Sequence, residues 1–383
     1  MTDWNVPLAD VRVSEEEIAA IMETYRSGWL SMGPETSRFE DAFASFVGVP
    51  HAFATSNGTA ALHLLLAGHD IGPGDEVIVP SMTFVATVNA VAYTGATPRF
   101  CDIEDLLQPW ISARRVEPLI GPRTKAILTM PYGGHPGDLE QLAQLAAGRK
   151  VLLLIDAAHA IGSRVAGRSV ASIGQSAAFS FFSNKNLAVG EGGMVVTNDQ
   201  EVADRIRLLR SHGMTTLTWD RHRGHASTYD VVALGYNYRI DEPRATFGRL
   251  RLARIDEENR DRARAVERYR AKLDEISGVV PTARGQRDLA SSHHLFTVVL
   301  DESIDRDGFR GRLARAGIQT SVHYPPVHRF SIYSSPSIDL PLTEAYGARI
   351  VTLPLFSHIT EEQVDAVVAG VKQAAWASAV SAL

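Results

Sequence analysis

The segment Val151-Leu152-Leu153-Leu154-Ile155-Asp156 places five aliphatic residues in a row directly before a carboxylate. A short run that is apolar at every position is typical of a strand buried on both faces of a parallel sheet. Around it, short β-branched runs at 52–55, 76–79, 97–101 and 125–130 alternate with helical spacing at 60–67, 83–93, 113–119 and 139–147. This alternation predicts an α/β fold with a mainly parallel central sheet and helices on both faces.

The rest of the chain predicts a second, smaller domain. Runs at 177–182 and 193–197 are typical of a hairpin, and 241–276 is charge-laced with helical spacing and Pro243 near its start. We therefore expect a large domain over 1–240, one long connecting helix over 241–276, and a small α+β domain over 277–383. In that last domain we expect strands at 294–300 and 318–322, a helix at 309–316, and a final helix from Glu361, which Thr360 and Gln363 introduce as a capping-box pair.

Composition excludes several classes of protein. The chain has 383 residues, of which 45% are hydrophobic and 21% charged, so it is expected to fold as a globular protein. Its net charge of −6 gives no general attraction to nucleic acid or anionic lipid. The single cysteine, Cys101, excludes an internal disulfide framework and fits a reducing cytoplasm. Neither a secretory signal nor a membrane-spanning run is expected.

Lysine is scarce, and one of the lysines has an unusual setting. The chain has only Lys125, Lys150, Lys185, Lys272 and Lys372. Lys185 follows the aromatic run Phe179-Ser180-Phe181-Phe182 and precedes Gly190-Glu191-Gly192-Gly193. A lysine at the end of a buried strand is partly desolvated, which lowers its pKa toward that of an amine nucleophile. The alternative at this point is a lysine that reaches solvent from a sheet edge.

Asp156 is a second candidate, because it stands at the carboxyl end of the predicted central strand. That edge of an α/β sheet faces the crevice where ligands bind. A carboxylate there could hold a heterocyclic nitrogen in its protonated form, although an aspartate that caps the following helix is an equal alternative. His159 could stack or hydrogen-bond beside it, or could simply fill the turn.

The third candidate is Ser56-Asn57-Gly58-Thr59-Ala60, between a strand and a helix. Backbone N–H groups at a helix start, with a hydroxyl and a permissive glycine, form a cup for a phosphate dianion. Taken alone this signal is weak, and it lacks the form of a nucleoside-triphosphate loop. A reactive amine, an acid for a ring nitrogen and a phosphate cup together predict pyridoxal 5'-phosphate (PLP) as the cofactor.

Further motifs follow one another along nearly the whole chain. They are Gly33-Pro34 with Phe39-Glu40, Ser56-Asn57-Gly58-Thr59-Ala60-Ala61-Leu62, Thr83-Phe84-Val85-Ala86-Thr87, Tyr132-Gly133-Gly134, Asp156-Ala157-Ala158-His159, Phe179 to Leu187 with Gly190-Glu191-Gly192-Gly193, and Gly235-Tyr236-Asn237-Tyr238-Arg239. In these motifs the chain resembles the DegT/DnrJ/EryC1/StrS family of sugar aminotransferases. The resemblance implies the aspartate-aminotransferase type I fold and PLP chemistry.

The resemblance also implies a role for each matching residue. Lys185 would attach the cofactor as a Schiff base, Asp156 would pair with the pyridinium nitrogen, and Phe84 would stack on the ring. His159, where many members have glutamine, would lie beside the cofactor's phenolic oxygen. The phosphate would be held by Gly58, Thr59, Ala60 and Ser180, and by Asn237 of a neighbouring subunit, so that a homodimer shares its active sites; Arg239, His323, Tyr324 and His328 would lie near the sugar substrate.

The activity implied is amino transfer from L-glutamate or glutamine to a nucleotide-linked keto-deoxysugar. A dTDP-4-keto-6-deoxyhexose, giving a 4-amino sugar, is the first expectation, and a 3-keto-sugar or a keto-inositol is the alternative. Two readings of another class are a PLP-dependent sugar lyase and a non-catalytic binding protein. Lys185 favours transamination, since dehydratases of this family carry histidine in its place.

Five histidines could serve as metal ligands. They have no accompanying cysteine and no established ligand spacing, so no metal is expected. We interpret them as loop or nucleotide-side residues, and the polar stretch 219–229 as a mobile loop near the substrate. The five histidines are His212, His222, His225, His293 and His294.

Overall fold

The structure is a computed structural model that describes residues 4–216, 219, 228–283 and 289–381. Its strands are β1 His51–Thr55, β2 Glu76–Pro80, β3 Thr97–Cys101, β4 Thr124–Thr129, β5 Leu152–Asp156, β6 Arg164–Val165, β7 Arg168–Ser169, β8 Ser176–Ser180, β9 Gly193–Thr197, β10 Val279–Pro281, β11 Leu289–Ala290, β12 Phe296–Leu300 and β13 Ile350–Leu353. Its helices are α1 Glu15–Arg26, α2 Pro34–Val47, α3 Gly58–Gly68, α4 Val85–Tyr93, α5 Ala113–Val116, α6 Leu139–Arg149, α7 Gln200–Arg210, α8 Glu242–Leu252, α9 Ile255–Leu273, α10 Arg306–Arg315, α11 Pro341–Arg349 and α12 Glu361–Ser381.

The central sheet has seven strands in the order β1-β9-β8-β5-β4-β2-β3. The strands β3, β2, β4, β5 and β8 are parallel to one another, whereas β9 is antiparallel to both β8 and β1. The predicted α/β class and the predicted hairpin between the last two strands of this region are therefore confirmed. The carboxyl ends of β4, β5 and β8 lie at one edge of the sheet.

Strand β5 lies at the centre of this sheet and is covered on both faces. Leu154 packs in the core formed with α3 and α4, and its neighbour Ile155 packs in the opposite core with Phe39 and Phe43 of α2. Both residues are fully buried. Each such side chain contributes about 1.5–3 kcal/mol to the free energy of unfolding. This burial fixes the position of Asp156, which is the next residue.

The prediction of one long helix over 241–276 is wrong. The helix is interrupted at Ala253 and Arg254, which separate α8 from α9. The two helices bury against different partners, which the continuous charge pattern does not reveal. Helix α8 packs on α1 and α2, whereas α9 packs on α12 and β10. The change of direction lets each helix cover its own core. The domain limits themselves stay a prediction.

The C-terminal part contains an antiparallel sheet in the order β10-β12-β13, covered by α9, α10 and α12. Val6, from the start of the chain, is buried in the same core. The predicted capping box exists, since Thr360 N donates to Gln363 Oε1 at 3.0 Å and Gln363 N donates to Thr360 Oγ1 at 3.2 Å.

The expected strand at 318–322 is not formed. Its backbone pairs first with Val6 and then with Thr352, as single bridges at Ile318 and Ser321. A change of partner within three residues leaves no continuous ladder. Within the described ranges, no helix is both long enough and apolar enough to cross a membrane.

Candidate active site

A cavity of about 680 Å³ opens at the carboxyl edge of the central sheet. Asp156 ends β5, Ser180 ends β8, and the first turn of α3 closes one side. A volume of this order is typical of sites for small organic ligands. Of the predicted site residues, the cavity brings together Gly58, Thr59, Ala60, Phe84, Asp156, His159, Ser180, Lys185, His323 and Tyr324.

Asp156 is 3% exposed and is held by two donors. Thr87 Oγ1 donates to Oδ2 at 2.6 Å, and the Ala158 N–H donates to Oδ1 at 3.1 Å. Burial raises the pKa of Asp156, while these two hydrogen bonds and the charge of Lys185 act in the opposite direction. The arrangement stabilises a buried carboxylate that can form a charge-assisted bond with a protonated ring nitrogen.

Lys185 lies in the turn between β8 and β9, where its backbone N–H donates to the Phe182 carbonyl at 2.8 Å. Burial lowers the pKa of its amine to about 8, and the nearby Asp156 carboxylate partly opposes this shift. The Nζ atom lies 3.5 Å from His294 Nε2. A desolvated amine with this pKa is a usable nucleophile near neutral pH.

The first turn of α3 forms a narrow cradle with the end of β8. A β-carbon on Gly58 would lie 2.7 Å from Cβ and 2.9 Å from Oγ of Ser180, so only glycine fits there. The helix is capped by Asn57, whose Oδ1 accepts from the Ala60 N–H at 2.8 Å. The Thr59 and Ser180 residues line the cavity beside it. A helix N-terminus with two hydroxyl side chains suits a phosphate dianion.

His159 is buried, and its two hydrogen-bond partners determine which ring nitrogen carries the hydrogen. The Gly133 N–H donates to Nδ1 at 3.3 Å, so the neutral ring carries its hydrogen on Nε2, which lies 2.8 Å from the Tyr324 hydroxyl. Burial, with Lys185 and His294 nearby, lowers the pKa of His159 well below its usual value. Burial likewise raises the pKa of the Tyr324 phenol. The pair is therefore neutral at pH 7.

Phe84 stands at the N-cap of α4 with 53% of its surface exposed, although it lines the cavity. Its ring centroid is 5.8 Å from that of Tyr324. An exposed aromatic face over a cavity is available to stack on a flat ligand. His323 lines the same region, and burial lowers the pKa of its imidazole to about 4.

Three predicted residues do not line this cavity. Asn237 is exposed and pairs its backbone with Ser211, and Arg239 Nη1 donates to Ser211 Oγ at 3.0 Å. His328 is buried elsewhere: Nδ1 lies 2.7 Å from Ser81 Oγ and Nε2 lies 3.1 Å from Glu344 Oε1. Because both of its ring nitrogens are engaged, the expected substrate contact of His328 has no geometric support in the single chain.

The sequence pattern assigns no individual role to Thr87 or Thr83. In the structure Thr87 donates to Asp156, and Thr83 Oγ1 lies 2.6 Å from the Thr87 hydroxyl. Because Thr87 gives its proton to the carboxylate, it accepts from Thr83. Two threonines four residues apart after a strand that ends at the ligand-binding edge were the available signal.

His294 is expected in a loop or beside the nucleotide, and it does lie in a loop, the connection between β11 and β12. It is 8% exposed, lies against the Lys185 amine, and its ring centroid is 4.3 Å from that of His159. The cause is the β11–β12 connection, which runs along Gly133 and brings His294 under the site. His222 and His225, with most of the expected loop at 219–229, lie outside the described residues.

Comparison with known proteins identifies the family. The family model of the DegT/DnrJ/EryC1/StrS aminotransferases matches residues 11–372, and the chain belongs to this family. It is 37% identical, over 96% of each chain, to the spore coat polysaccharide biosynthesis protein SpsC of Bacillus subtilis (strain 168).

Solved structures agree with this membership. The aminotransferase TlmJ of Streptoalloteichus hindustanus is 34% identical, with a TM-score of 0.91 over 98% of this chain and 100% of that one. DesV of S. venezuelae, in complex with a ketimine intermediate, is 36% identical, with a TM-score of 0.89 over 97% and 98% of the two chains. The fold is therefore that of the aspartate-aminotransferase type I enzymes.

The protein is thus a PLP-dependent sugar aminotransferase. The residues present fit this cofactor: a buried carboxylate and a desolvated amine share the cavity, and the Gly58 cradle leaves room that a β-carbon would fill. When bound, PLP supplies an electron sink for amino transfer. Among the residues the structure describes, no group of three or more His, Cys, Asp or Glu side chains is arranged to hold a metal ion.

Proposed function

We propose that the enzyme transfers the amino group of L-glutamate, or of glutamine, to a nucleotide-linked keto-deoxysugar. A dTDP-4-keto-6-deoxyhexose, which would give a 4-amino sugar, is the specific substrate proposed. The observation that carries the reaction class is that a half-buried amine with a lowered pKa, Lys185, and a buried carboxylate, Asp156, line one cavity. The polysaccharide pathway named for SpsC supports a sugar product.

Lys185 would be the proton-moving residue of both half-reactions. With a pKa of about 8, roughly a tenth of the amine is unprotonated at pH 7. As a neutral amine, Lys185 would hold the cofactor through its aldehyde group, and when free its Nζ would accept the proton of the donor carbon and return it to a neighbouring carbon.

Asp156 would keep the cofactor ring nitrogen protonated. Its hydrogen bonds from Thr87 and Ala158 favour the charged carboxylate, and its burial strengthens the attraction to a cation. His159 and Tyr324, which line the same cavity, would act as neutral groups that orient the cofactor and substrate.

A homodimer with shared active sites is part of the proposal. Beside Asn237 lies an apolar run in which Val231 is 55%, Val232 56% and Leu234 91% exposed. Apolar side chains grouped in this way on a surface are typical of an interface. Association through this run would carry Asn237 and Arg239 toward the partner's cavity. A cytoplasmic location also belongs to the proposal, since the lone Cys101 is buried as a free thiol.

The test is a panel of keto-substrates with glutamate or glutamine as donor. The purified holoenzyme is incubated with 4-keto and 3-keto dTDP-sugars, the corresponding UDP-sugars and a keto-inositol, and products are identified by mass spectrometry and NMR. We expect a 4-amino dTDP-sugar and one equivalent of 2-oxo acid. An amine formed only on the keto-inositol would replace the proposed substrate, and a deoxygenated keto product without amine would indicate a lyase.

A further inference from the structure

Hydrogen bonds fix the orientation of the Asn186 amide. Asn259 Nδ2 donates to the Ile161 carbonyl at 2.9 Å, which leaves Asn259 Oδ1 as an acceptor. Asn186 Nδ2 donates to that oxygen at 2.9 Å and to the Ser292 carbonyl at 2.7 Å. Both partners can only accept, so Asn186 Oδ1 must face the remaining neighbour, His294.

This orientation selects one tautomer of His294. Asn186 Oδ1 lies 3.1 Å from His294 Nδ1 and can only accept, so Nδ1 carries the ring hydrogen. Burial, with Lys185, His323 and Arg262 nearby, lowers the pKa of His294 well below its usual value. The ring is therefore neutral, and Nε2 presents a lone pair to Lys185 Nζ at 3.5 Å.

We propose that His294 is a positioning residue for Lys185, whose amine donates an N–H bond to the unprotonated Nε2 of the imidazole ring. The inference rests on the cofactor-attaching role of Lys185 in the proposed function. A neutral amine has two N–H bonds and one lone pair. Once one N–H is given to His294, the lone pair can no longer turn toward the ring and is directed into the rest of the site.

The hydrogen bond would reduce the number of conformations open to the flexible lysine side chain. Lysine has four rotatable bonds, and its amine rotates freely unless an acceptor holds it. Orienting the nucleophile before attack removes part of the entropic barrier of the reaction. The 3.5 Å separation is long, as catalytic hydrogen bonds often are before ligands bind.

The test measures capture of PLP by the apoprotein, a step that requires no substrate. The rate of the visible absorbance change is followed across a pH range centred on 8, and borohydride reduction with peptide mapping locates the label. The variants are His294→Leu, which removes the acceptor, and His294→Gln, which restores one. His69→Leu is the matched control, because this half-buried histidine bonds to Ser176 and lies outside the cavity.

The charged and titratable groups around the pair are unchanged in all three variants. Any shift in the pH profile can therefore be assigned to the residue replaced. The charged and titratable groups around Lys185 and His294 are Asp156, His159, Arg262, His323 and Tyr324.

We expect His294→Leu to slow capture about tenfold at every pH, the equivalent of one hydrogen bond, with His294→Gln and His69→Leu within about threefold of wild type. Capture by His294→Leu at the wild-type rate overturns the inference, as does failure of His294→Gln to recover the rate. If His294→Leu does not fold, His294→Phe serves instead, because its ring fills a similar volume and cannot accept a hydrogen bond, and wild-type capture by that variant would overturn the inference. A wild-type protein without label on Lys185 would refute the proposed function itself.

Discussion

Thr87 Oγ1 donates a 2.6 Å hydrogen bond to Asp156 Oδ2, and the two residues are 69 positions apart in the chain. The bond ties the first turn of α4 to the end of β5 and lies within the buried part of the site. A hydroxyl in this position favours the ionised carboxylate on which cofactor binding depends.

Replacement of Thr87 by valine is expected to weaken PLP binding. A hydrogen bond to a charged group contributes about 1.5–3 kcal/mol, so the dissociation constant should rise roughly 10- to 100-fold. Titration of the apoprotein with PLP, followed by absorbance, measures it. Thr87→Ser keeps the hydroxyl and should bind within about threefold of wild type. Equal affinities for the valine variant and wild type would contradict the assigned role.

Replacement of Lys185 by alanine should remove both the absorbance of the Schiff base with the cofactor and turnover. No other amine occupies the cavity among the residues described, so nothing replaces the lost nucleophile. Lys372→Ala, at an exposed position of α12, is the control and should behave as wild type. Turnover by Lys185→Ala near the wild-type rate would end the assignment.

Gly58→Ala should impair phosphate binding selectively. The added β-carbon would lie 2.7 Å from Ser180 Cβ, which forces the cradle to shift. Affinity for PLP should fall by at least about tenfold, whereas affinity for pyridoxal, which has no phosphate, should change little. Gly148→Ala in α6 has open space around it and is expected to stabilise the fold by about 0.5–1 kcal/mol without affecting either ligand. Equal losses for both ligands would show that the cradle does not contact the phosphate.

Stability should fall as the pH drops below about 6.5, the ordinary pKa of histidine. A histidine whose pKa is lowered by burial is neutral in the folded protein but protonated when unfolded. The unfolded chain then binds more protons, and each such histidine costs about 1.4 kcal/mol per pH unit until its folded pKa is reached. Burial lowers the pKa of His69, His293 and His323 to about 4, and it lowers that of His63, His159 and His294 as well. Urea unfolding of the apoprotein between pH 4 and pH 7 measures this slope, and a flat profile would contradict it.

The sequence alone is sufficient to predict the position of a residue in the fold where that position depends on neighbouring residues in the chain. Asp156 is placed by the apolar run before it, and Gly58 by the strand-to-helix turn around it. His294 could not be placed in this way, because it lies 109 residues from Lys185 and reaches it only through the path of the chain along Gly133. The break at Ala253 was also hidden, since the charge pattern is helical on both sides of it. The roles of Asn237 and Arg239 stay predictions.

Val6 forms a bridge with Ile318 and is buried in the C-terminal core. That core therefore needs residues from both ends of the chain, with more than three hundred residues between these two. During synthesis the segment around Val6 leaves the ribosome long before the segment around Ile318 is made. It therefore stays unpaired while the large sheet forms. Closing so long a loop is slow, so completion of this core is expected to be a late step of folding.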